Sequence, residues 1–296
     1  MRRAVLGGNE AYESDDAHEA DEAYARAAVE RGGRLLSGVQ RLGVAFSGGV
    51  DSSVLLALGV RALGAEHVVA VLGVSPSLAV QEREAAHDVA RQIGARLVEV
   101  RTYEGDREAY RANGTDRCFH CKDELFTRIG EDVVAQHGLD AVAYGENADD
   151  AVRPDRPGAR AATDHRVLRP LADAGWDKAA VRRLARIWGL PSADKPAAPC
   201  LASRIPHHQS VTPEKLQQID SAESALRGLG LTDLRVRHHG DIARIELPAA
   251  DLLRAVTDPL RKEIRAAVRR AGFRYAVVDL GGMQSGAFTL TLLQDA

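Results

Sequence analysis

Seven consecutive residues, Ser47-Gly48-Gly49-Val50-Asp51-Ser52-Ser53, have the types and spacing of a polyphosphate site. They follow a short apolar run, Gly43-Val44-Ala45-Phe46, and lead into the helical pattern Val54-Leu55-Leu56-Ala57-Leu58. A strand that turns into a helix through small residues lets backbone come close to an anion. The N–H groups of the first helical turn then point at it. Ser47, Ser52 and Ser53 add hydroxyl donors, and Gly48 and Gly49 allow the close approach. Asp51 is out of place in a phosphate site unless a Mg²⁺ ion bridges it to the phosphates. The stretch contains no lysine, so it is not the usual P-loop.

The second group is sulfur. Cys118-Phe119-His120-Cys121 places two thiols at a CxxC spacing, and Cys200 stands in Lys195-Pro196-Ala197-Ala198-Pro199-Cys200-Leu201-Ala202-Ser203-Arg204. A CxxC pair is a redox dithiol, half of a zinc site, or part of an iron–sulfur cluster. Three thiolates without a clear fourth ligand fit a [4Fe–4S] cluster with one open iron. The plainer reading is that only one thiol reacts. Cys200 is the better single candidate, because it lies in a Pro-rich loop and not on an apolar face. Arg204 and Lys195 are close in sequence, and nearby cations are expected to lower a thiol pKa and favour the nucleophilic thiolate.

Gly145-Glu146-Asn147-Ala148-Asp149-Asp150 supplies carboxylates for Mg²⁺ or for ribose hydroxyls, or else is a solvated acidic loop. Arg235 and Arg237 alternate along one strand and so share a face. Two guanidiniums on one face suit a phosphate. Glu246 falls on the next strand. His207, His208, His238 and His239 form adjacent pairs whose neighbours point apart, and they read as polar loop or strand residues.

These residues need elements to hold them. Strands are expected at Val44–Phe46, His67–Gly73, Arg96–Val100 and Ala141–Tyr144, with helices near 52–63, at Gln81–Ile93 and at Cys121–His137. That alternation predicts an α/β fold with a parallel sheet covered on both faces. Ligands bind such sheets at the carboxyl ends of the strands, where both the Ser47 loop and the Gly145 segment fall. Residues 146–176 read as a long loop, Asp177–Trp188 as a helix, and Pro191–Pro206 as an ordered loop. Thr212 reads as an N-cap with Pro213 at the first helical position. The order α, β, β, α, β follows, a smaller α/β domain. The expected organisation is therefore an acidic, mobile extension over 1–33, a nucleotide domain over 34–206 and a smaller substrate or oligomerisation domain over 207–296.

The 296 residues are enough to bury a sizeable core, and the net charge of −3 is well mixed. No Lys or Arg block marks a nucleic-acid surface, and no apolar run approaches the ~20 residues of a membrane span. A cytoplasmic protein with neither nucleic-acid nor membrane partners is expected. Three cysteines are too few and odd in number for a disulfide scaffold.

Taken in order, several motifs carry a family resemblance. They are the Ser47–Ser53 loop, Ser75-Pro76-Ser77-Leu78, Arg117 through Lys122, Gly145 through Asp150, Arg156-Pro157-Gly158, Lys195 through Pro206, Arg235-Val236-Arg237 with His239-Gly240, and Ala243-Arg244-Ile245-Glu246. The loop resembles the PP-loop of the ATP pyrophosphatases, which release pyrophosphate while adenylating a substrate. The whole set, over roughly 37–290, resembles the LarE family of ATP-dependent sulfur transferases. That resemblance implies sulfur insertion during nickel-pincer nucleotide biosynthesis. The substrate would be pyridinium-3,5-biscarboxylic acid mononucleotide, with ATP and Mg²⁺ as cofactors. It also implies a homo-oligomer, often a hexamer.

The resemblance further assigns the substrate phosphate to Arg235 and Arg237. Arg204, Glu223 and Glu246 would lie near the reacting centre. Sulfur would come either from Cys200, consumed to dehydroalanine, or from a [4Fe–4S] cluster on Cys118, Cys121 and Cys200 whose open iron carries an extra sulfide. Three departures from the pattern stand out: His207-His208 where the family has Tyr-Gly, Asp164 where a Glu is expected, and Gly281-Gly282-Met283-Gln284 near the end. Competing readings are a PP-loop tRNA thiolase, an ammonia-using amidoligase of the NAD synthetase type, and a nucleotide-binding module without catalysis.

Overall fold

The computed structural model describes residues 9–152 and 157–283, with side chains from residue 18 onward. Arg156 and Gln284 lie outside the described residues. Strands β1 (Leu42–Ala45), β2 (Val68–Val74), β3 (Arg96–Arg101) and β4 (Ala141–Tyr144) form one sheet in the order β3-β2-β1-β4. Every pairing in it is parallel. The chain leaves β1 toward β2 and β3 on one side, then returns to place β4 on the other. The crevice between the loops after β1 and β4 is therefore the topological switch point of the sheet, where open α/β sheets bind ligands.

Both faces of this sheet are apolar, as parallel pairing requires. Helix α2 (Val50–Leu63) presents Val54, Leu55, Leu56 and Leu58 to one face. Phe126, Ile129 and Val133 cover the other, along a helix that runs from Arg117 to Arg128 and continues through a π-helical stretch, Ile129–Val134. That helix begins before the expected start at Cys121. Cys118 and Cys121 therefore sit on its first turn, not ahead of it, and at i, i+3 they share one face.

Two expectations are corrected. The segment 1–33 was expected to be a mobile extension, yet Asn9–Leu35 is a helix, α1. Its Ala28 is buried, Tyr24 and Val29 pack against the main core, and Asp21 accepts from Arg183 at 2.8 Å. Small residues permit this docking. A Cβ on Gly32 would stand 2.7 Å from Leu58, so the two helices meet too closely for a larger side chain. The 146–176 segment was expected to be a long loop, but it contains short helices at Ala148–Ala151, Pro157–Asp164 and Pro170–Asp173. Pro157 and Pro170 stand at first helical positions, where the missing N–H costs nothing.

The helices expected after this segment are present, each with a side-chain cap. Asp177 accepts from the Ala180 N–H at 2.7 Å and starts the helix Lys178–Ile187. Thr212 accepts from the Lys215 N–H at 3.4 Å ahead of Pro213–Gly228.

A smaller mixed sheet follows, ordered β5 (Arg235–His239), β6 (Ile242–Glu246), β7 (Tyr275–Val278). β5 and β6 form an antiparallel hairpin that pairs Arg235 with Glu246 and Arg237 with Arg244, and β7 joins β6 in parallel. Its core holds Ile219, Leu226, Val236, Ile245 and Val268, and it also takes in Leu201, Ala202 and Ile205 from the turn after Cys200. No helix of the described residues is long and apolar enough to cross a membrane.

Candidate active site

The loop after β1 is built to leave backbone donors uncovered. Gly48 has φ 71°, and a side chain there would also meet Ala86, with Cβ 3.0 Å from its Cα. Gly49 occupies the N-cap of α2 without a capping side chain, so the first-turn N–H groups stay available to an anion. The serines hold this shape. The Ser47 and Ser52 hydroxyls share a hydrogen bond at 3.2 Å, and Ser53 Oγ donates to the Gly49 carbonyl at 2.8 Å. Ser53 is fully buried, so its hydroxyl shapes the loop from behind.

Gly145 explains why the β4 loop can reach this one. A Cβ on it would lie 2.6 Å from the Ser52 nitrogen, so only glycine lets the two backbones pack. Asn147 then donates to Asp51 Oδ1 at 2.9 Å, and Lys178 Nζ donates to Asp51 Oδ2 at 2.5 Å. Glu146, expected to contact the cofactor, instead turns inward. It is buried, and its carboxylate accepts from Arg169 at 3.3 Å.

A cleft of about 630 Å³ starts at Ser47, Gly49 and Asp51 and extends to Cys200, Arg204, Glu223, Arg235 and Arg237. Arg117, Lys178, Arg182, Lys195 and Arg227 also line it, against the acids Asp51, Glu82 and Glu223. A smaller pocket of about 200 Å³ adjoins the same loop and is walled by Lys122, Phe126, Tyr144 and Gly145.

Cys200 caps a short 3₁₀ turn, Leu201–Arg204. Its carbonyl accepts from Ser203 Oγ at 2.7 Å, and the Leu201 N–H donates to the Ser77 carbonyl at 2.9 Å. The second bond ties the cysteine turn to the Ser75–Leu78 segment beyond β2. The expectation of a lowered thiol pKa is corrected. Burial pushes the Cys200 thiol up. Arg117 and Arg204 pull against this, while Cys118 adds to it. The Lys195 ammonium is held by Glu82 at 2.7 Å. The side chain keeps an exposed surface, but at the floor of a cleft walled by protein, where a thiolate is poorly solvated.

Burial also drives the Cys121 thiol well up, reinforced by Glu104, Cys200 and Cys118 and opposed by Arg117. Cys118 thus lies close enough to influence both other thiols. Among the described residues, however, no group of three or more His, Cys, Asp or Glu side chains could hold a metal ion. Cys200 lines the cleft, and Cys118 and Cys121 are not among its lining residues.

The far wall is made of buried ion pairs. Arg237 donates twice to Glu246, at 2.9 and 2.8 Å, and once to the Ser203 carbonyl at 2.9 Å. Arg204 donates to Glu223 at 2.9 Å and to the Pro199 carbonyl at 2.6 Å. Arg227 reaches the second Glu223 oxygen at 3.0 Å. Glu246 therefore acts on the cleft through Arg237 and does not line it. Burial, together with the charges of Arg237 and Arg204, lowers the pKa of Arg235. Crowded guanidiniums of this kind are relieved by a bound anion.

Sequence reasoning missed several residues here. Lys178 and Arg182 come from a helix with no motif of its own. Asn113, at φ 57°, donates to the Pro206 carbonyl at 2.8 Å and accepts from Arg117, and so fastens the cysteine turn from below. Only the departure at His207-His208 gave a local signal. His207 lines the cleft, and His208 has φ 64°, a conformation that suits the glycine of the family pattern.

Three comparisons bear on this geometry. The NAD synthase family profile matches residues 35–125, the part that carries the phosphate loop. An uncharacterised protein of Synechocystis sp. is 39% identical over 249 residues, which cover 84% of this chain and 92% of that protein. A pyridinium-3,5-bisthiocarboxylic acid mononucleotide synthase of Lactiplantibacillus plantarum is 34% identical over 260 residues, 87% of this chain and 92% of its own length.

Proposed function

Since the chain belongs to the LarE family of pyridinium-3,5-bisthiocarboxylic acid mononucleotide synthases, we propose that it is an ATP-dependent sulfur transferase acting in nickel-pincer nucleotide synthesis. It adenylates the carboxylates of pyridinium-3,5-biscarboxylic acid mononucleotide and converts them to thiocarboxylates. One observation carries this reading: the phosphate loop, the Cys200 thiol and the Arg235–Arg237 wall line a single cleft. An ATP-activated acid, a sulfur atom and a cradle for the substrate phosphate are thereby within reach of one bound molecule.

ATP phosphates rest on the first-turn N–H groups of α2. A carboxylate oxygen of the substrate attacks the α-phosphorus, and the bond to the β-phosphate breaks, with its electron pair leaving on pyrophosphate. AMP is then a far better leaving group than the carboxylate oxygen it replaces. Asp51 fits a Mg²⁺ ion, which takes one or two protein carboxylates and completes its shell with substrate phosphates. When bound, Mg²⁺ neutralises charge on the phosphates.

Cys200 is the sulfur atom that the cleft presents directly. Its proton must leave first, because burial holds the thiol up. The thiolate attacks the acyl carbon, AMP departs with the bonding pair, and a thioester forms. Loss of the Cys200 α-proton and cleavage of its Cβ–S bond then release the thiocarboxylate and leave dehydroalanine. A second sulfur source is a [4Fe–4S] cluster on Cys118, Cys121 and Cys200: the first two share one helix, and Cys121 packs against the core that includes Leu201, next to Cys200. As placed, they form no site for a single ion. A cluster spreads its thiolates over different irons. When bound, it would supply the sulfur and spare the cysteines.

The test is AMP and pyrophosphate release that depends on the pyridinium acid, followed by mass detection of the thiocarboxylate. Absence of both with intact protein overturns the proposal. The mass of the protein after turnover separates the sulfur sources, since sacrifice of Cys200 removes about 34 Da. Iron and acid-labile sulfide in anaerobically prepared protein would point to the cluster. The amidoligase reading draws on the NAD synthase match, and full activity of Cys200→Ala with ammonia would favour it. Homo-oligomeric assembly belongs to the same proposal and is tested by sedimentation.

A further inference from the structure

Lys178 has no place in the sequence motifs, yet its ammonium sits in the phosphate loop. It enters from the first residue of the helix Lys178–Ile187, 127 positions after its partner, and donates to Asp51 Oδ2 at 2.5 Å. The loop itself carries no lysine. We propose that Lys178 is the loop's displaced phosphate lysine: it holds Asp51 in the nucleotide-free enzyme, yields that oxygen to the divalent cation, and moves onto the β- and γ-phosphates of ATP. The proposal deepens the adenylation reading above and rests on it.

Three observations support an exchange over a fixed ion pair. First, the root of Lys178 is anchored independently of the ion pair its tip makes with Asp51. Its backbone N–H donates to Asp149 at 2.9 Å and Asp177 caps the helix, but its side chain is 39% exposed and lines the cleft. A lysine offers a point charge on a flexible four-carbon stem, suited to changing partners. Second, Asp51 stays oriented when the lysine leaves, because Asn147 donates to its other oxygen at 2.9 Å and Asn147 is in turn held by Asp150 at 3.0 Å. Third, the neighbouring cations already have partners, Lys195 on Glu82 and Arg204 on Glu223. An acid at a phosphate site repels its ligand unless a cation covers it. Before ligand binds, Lys178 provides that cover, and a metal ion must compete with it for the same oxygen.

Competition gives two effects of opposite sign. Removing the ammonium should tighten divalent-cation binding to the nucleotide-free protein and weaken binding of the phosphates. A lysine that only braces the loop would, when removed, weaken both. The experiment titrates full-length protein with Mn²⁺ alone, read by loss of the free-ion electron paramagnetic resonance signal. It then titrates metal-free protein with ATP, using Lys178→Met, which keeps the stem, and Lys178→Arg, which keeps the charge. We expect Lys178→Met to bind Mn²⁺ about tenfold more tightly and ATP about tenfold more weakly, with Lys178→Arg close to wild type in both. Unchanged or weaker Mn²⁺ binding in Lys178→Met overturns the exchange, as does unchanged ATP binding. Wild-type ATP–pyrophosphate exchange with the pyridinium acid is measured alongside. Its absence would sink the adenylation reading while leaving the Mn²⁺ result to stand by itself.

Discussion

The two walls of the cleft attract anions by opposite means. The Ser47–Ser53 wall uses backbone N–H groups, small residues and hydroxyls that fold back on their own loop. The Arg204, Arg235 and Arg237 wall uses full charges, buried among Glu223 and Glu246. Partial charges on a helix terminus lose little on leaving water. Buried guanidiniums lose a great deal, and they persist only with carboxylates set against them. The first wall can therefore be built from one short stretch of chain, whereas the second needs residues from a turn, a helix and two strands.

That contrast can be broken by mutation, and the largest effect is expected on the backbone wall. Asp51→Asn keeps the shape but removes the carboxylate that the metal needs. ATP–pyrophosphate exchange should fall by about 10³-fold or more with the melting temperature little changed. Retained exchange would show that Asp51 does not organise the phosphates.

On the charged wall, the cost should appear in stability first. Glu223 is completely buried and serves Arg204, Arg227 and the Val236 N–H together. Glu223→Ala strands these donors and should lower unfolding free energy by about 3–5 kcal/mol in urea titration. A loss under about 1 kcal/mol would mean that water enters and solvates the arginines.

Gly145→Ala probes the seam that holds the backbone wall to the β4 loop. The added carbon must move the start of α2, and a loss of about 1–3 kcal/mol is expected, with weaker ATP binding. Unaltered ATP affinity would show that the seam yields without disturbing the loop.

A pH profile sharpens the comparison without mutation. The raised Cys200 thiol leaves little thiolate at neutral pH. If Cys200 attacks directly, AMP release should climb about tenfold per pH unit up to a plateau above the ordinary thiol range. Pyrophosphate release, which needs no thiolate, should stay flat there. A plateau near neutrality would require a base that lowers this thiol.

The smallest effect should lie away from both walls. Arg83 holds the Glu99 carboxyl down at about 2, with His87 adding to the pull. Its stabilisation is present above the usual carboxylate range and is lost as pH falls through about 2. Because the pair is exposed, Glu99→Gln should barely move the melting temperature at a pH of about 7.

How much of this was readable in one dimension follows from the same physics. The β1 strand, the phosphate loop, the Thr212 cap, the helix after Asp177 and the alternation of Arg235 with Arg237 are local patterns. They depend on helix and strand periods and on the special geometry of glycine and proline. The docking of α1 was missed because its acidic residues dominate the composition, while Ala28 and Gly32 do the packing. Glu146 was misplaced because an acid after a strand looks the same whether it faces the cleft or, as here, Arg169.

The chain's own order of residues determined that a strand would turn through Ser47–Ser53 into a helix and offer N–H groups to an anion, since every atom involved lies within a few residues. It also set Cys200 in a proline-rich turn where packing would not claim it. Tertiary structure alone decided which charges meet: Lys178 on Asp51, Lys195 on Glu82, Arg204 on Glu223. It alone raised the thiol that nearby cations were expected to lower. Partners and burial depend on residues far apart in the chain, and an ionisable group's behaviour is set by what surrounds it in space.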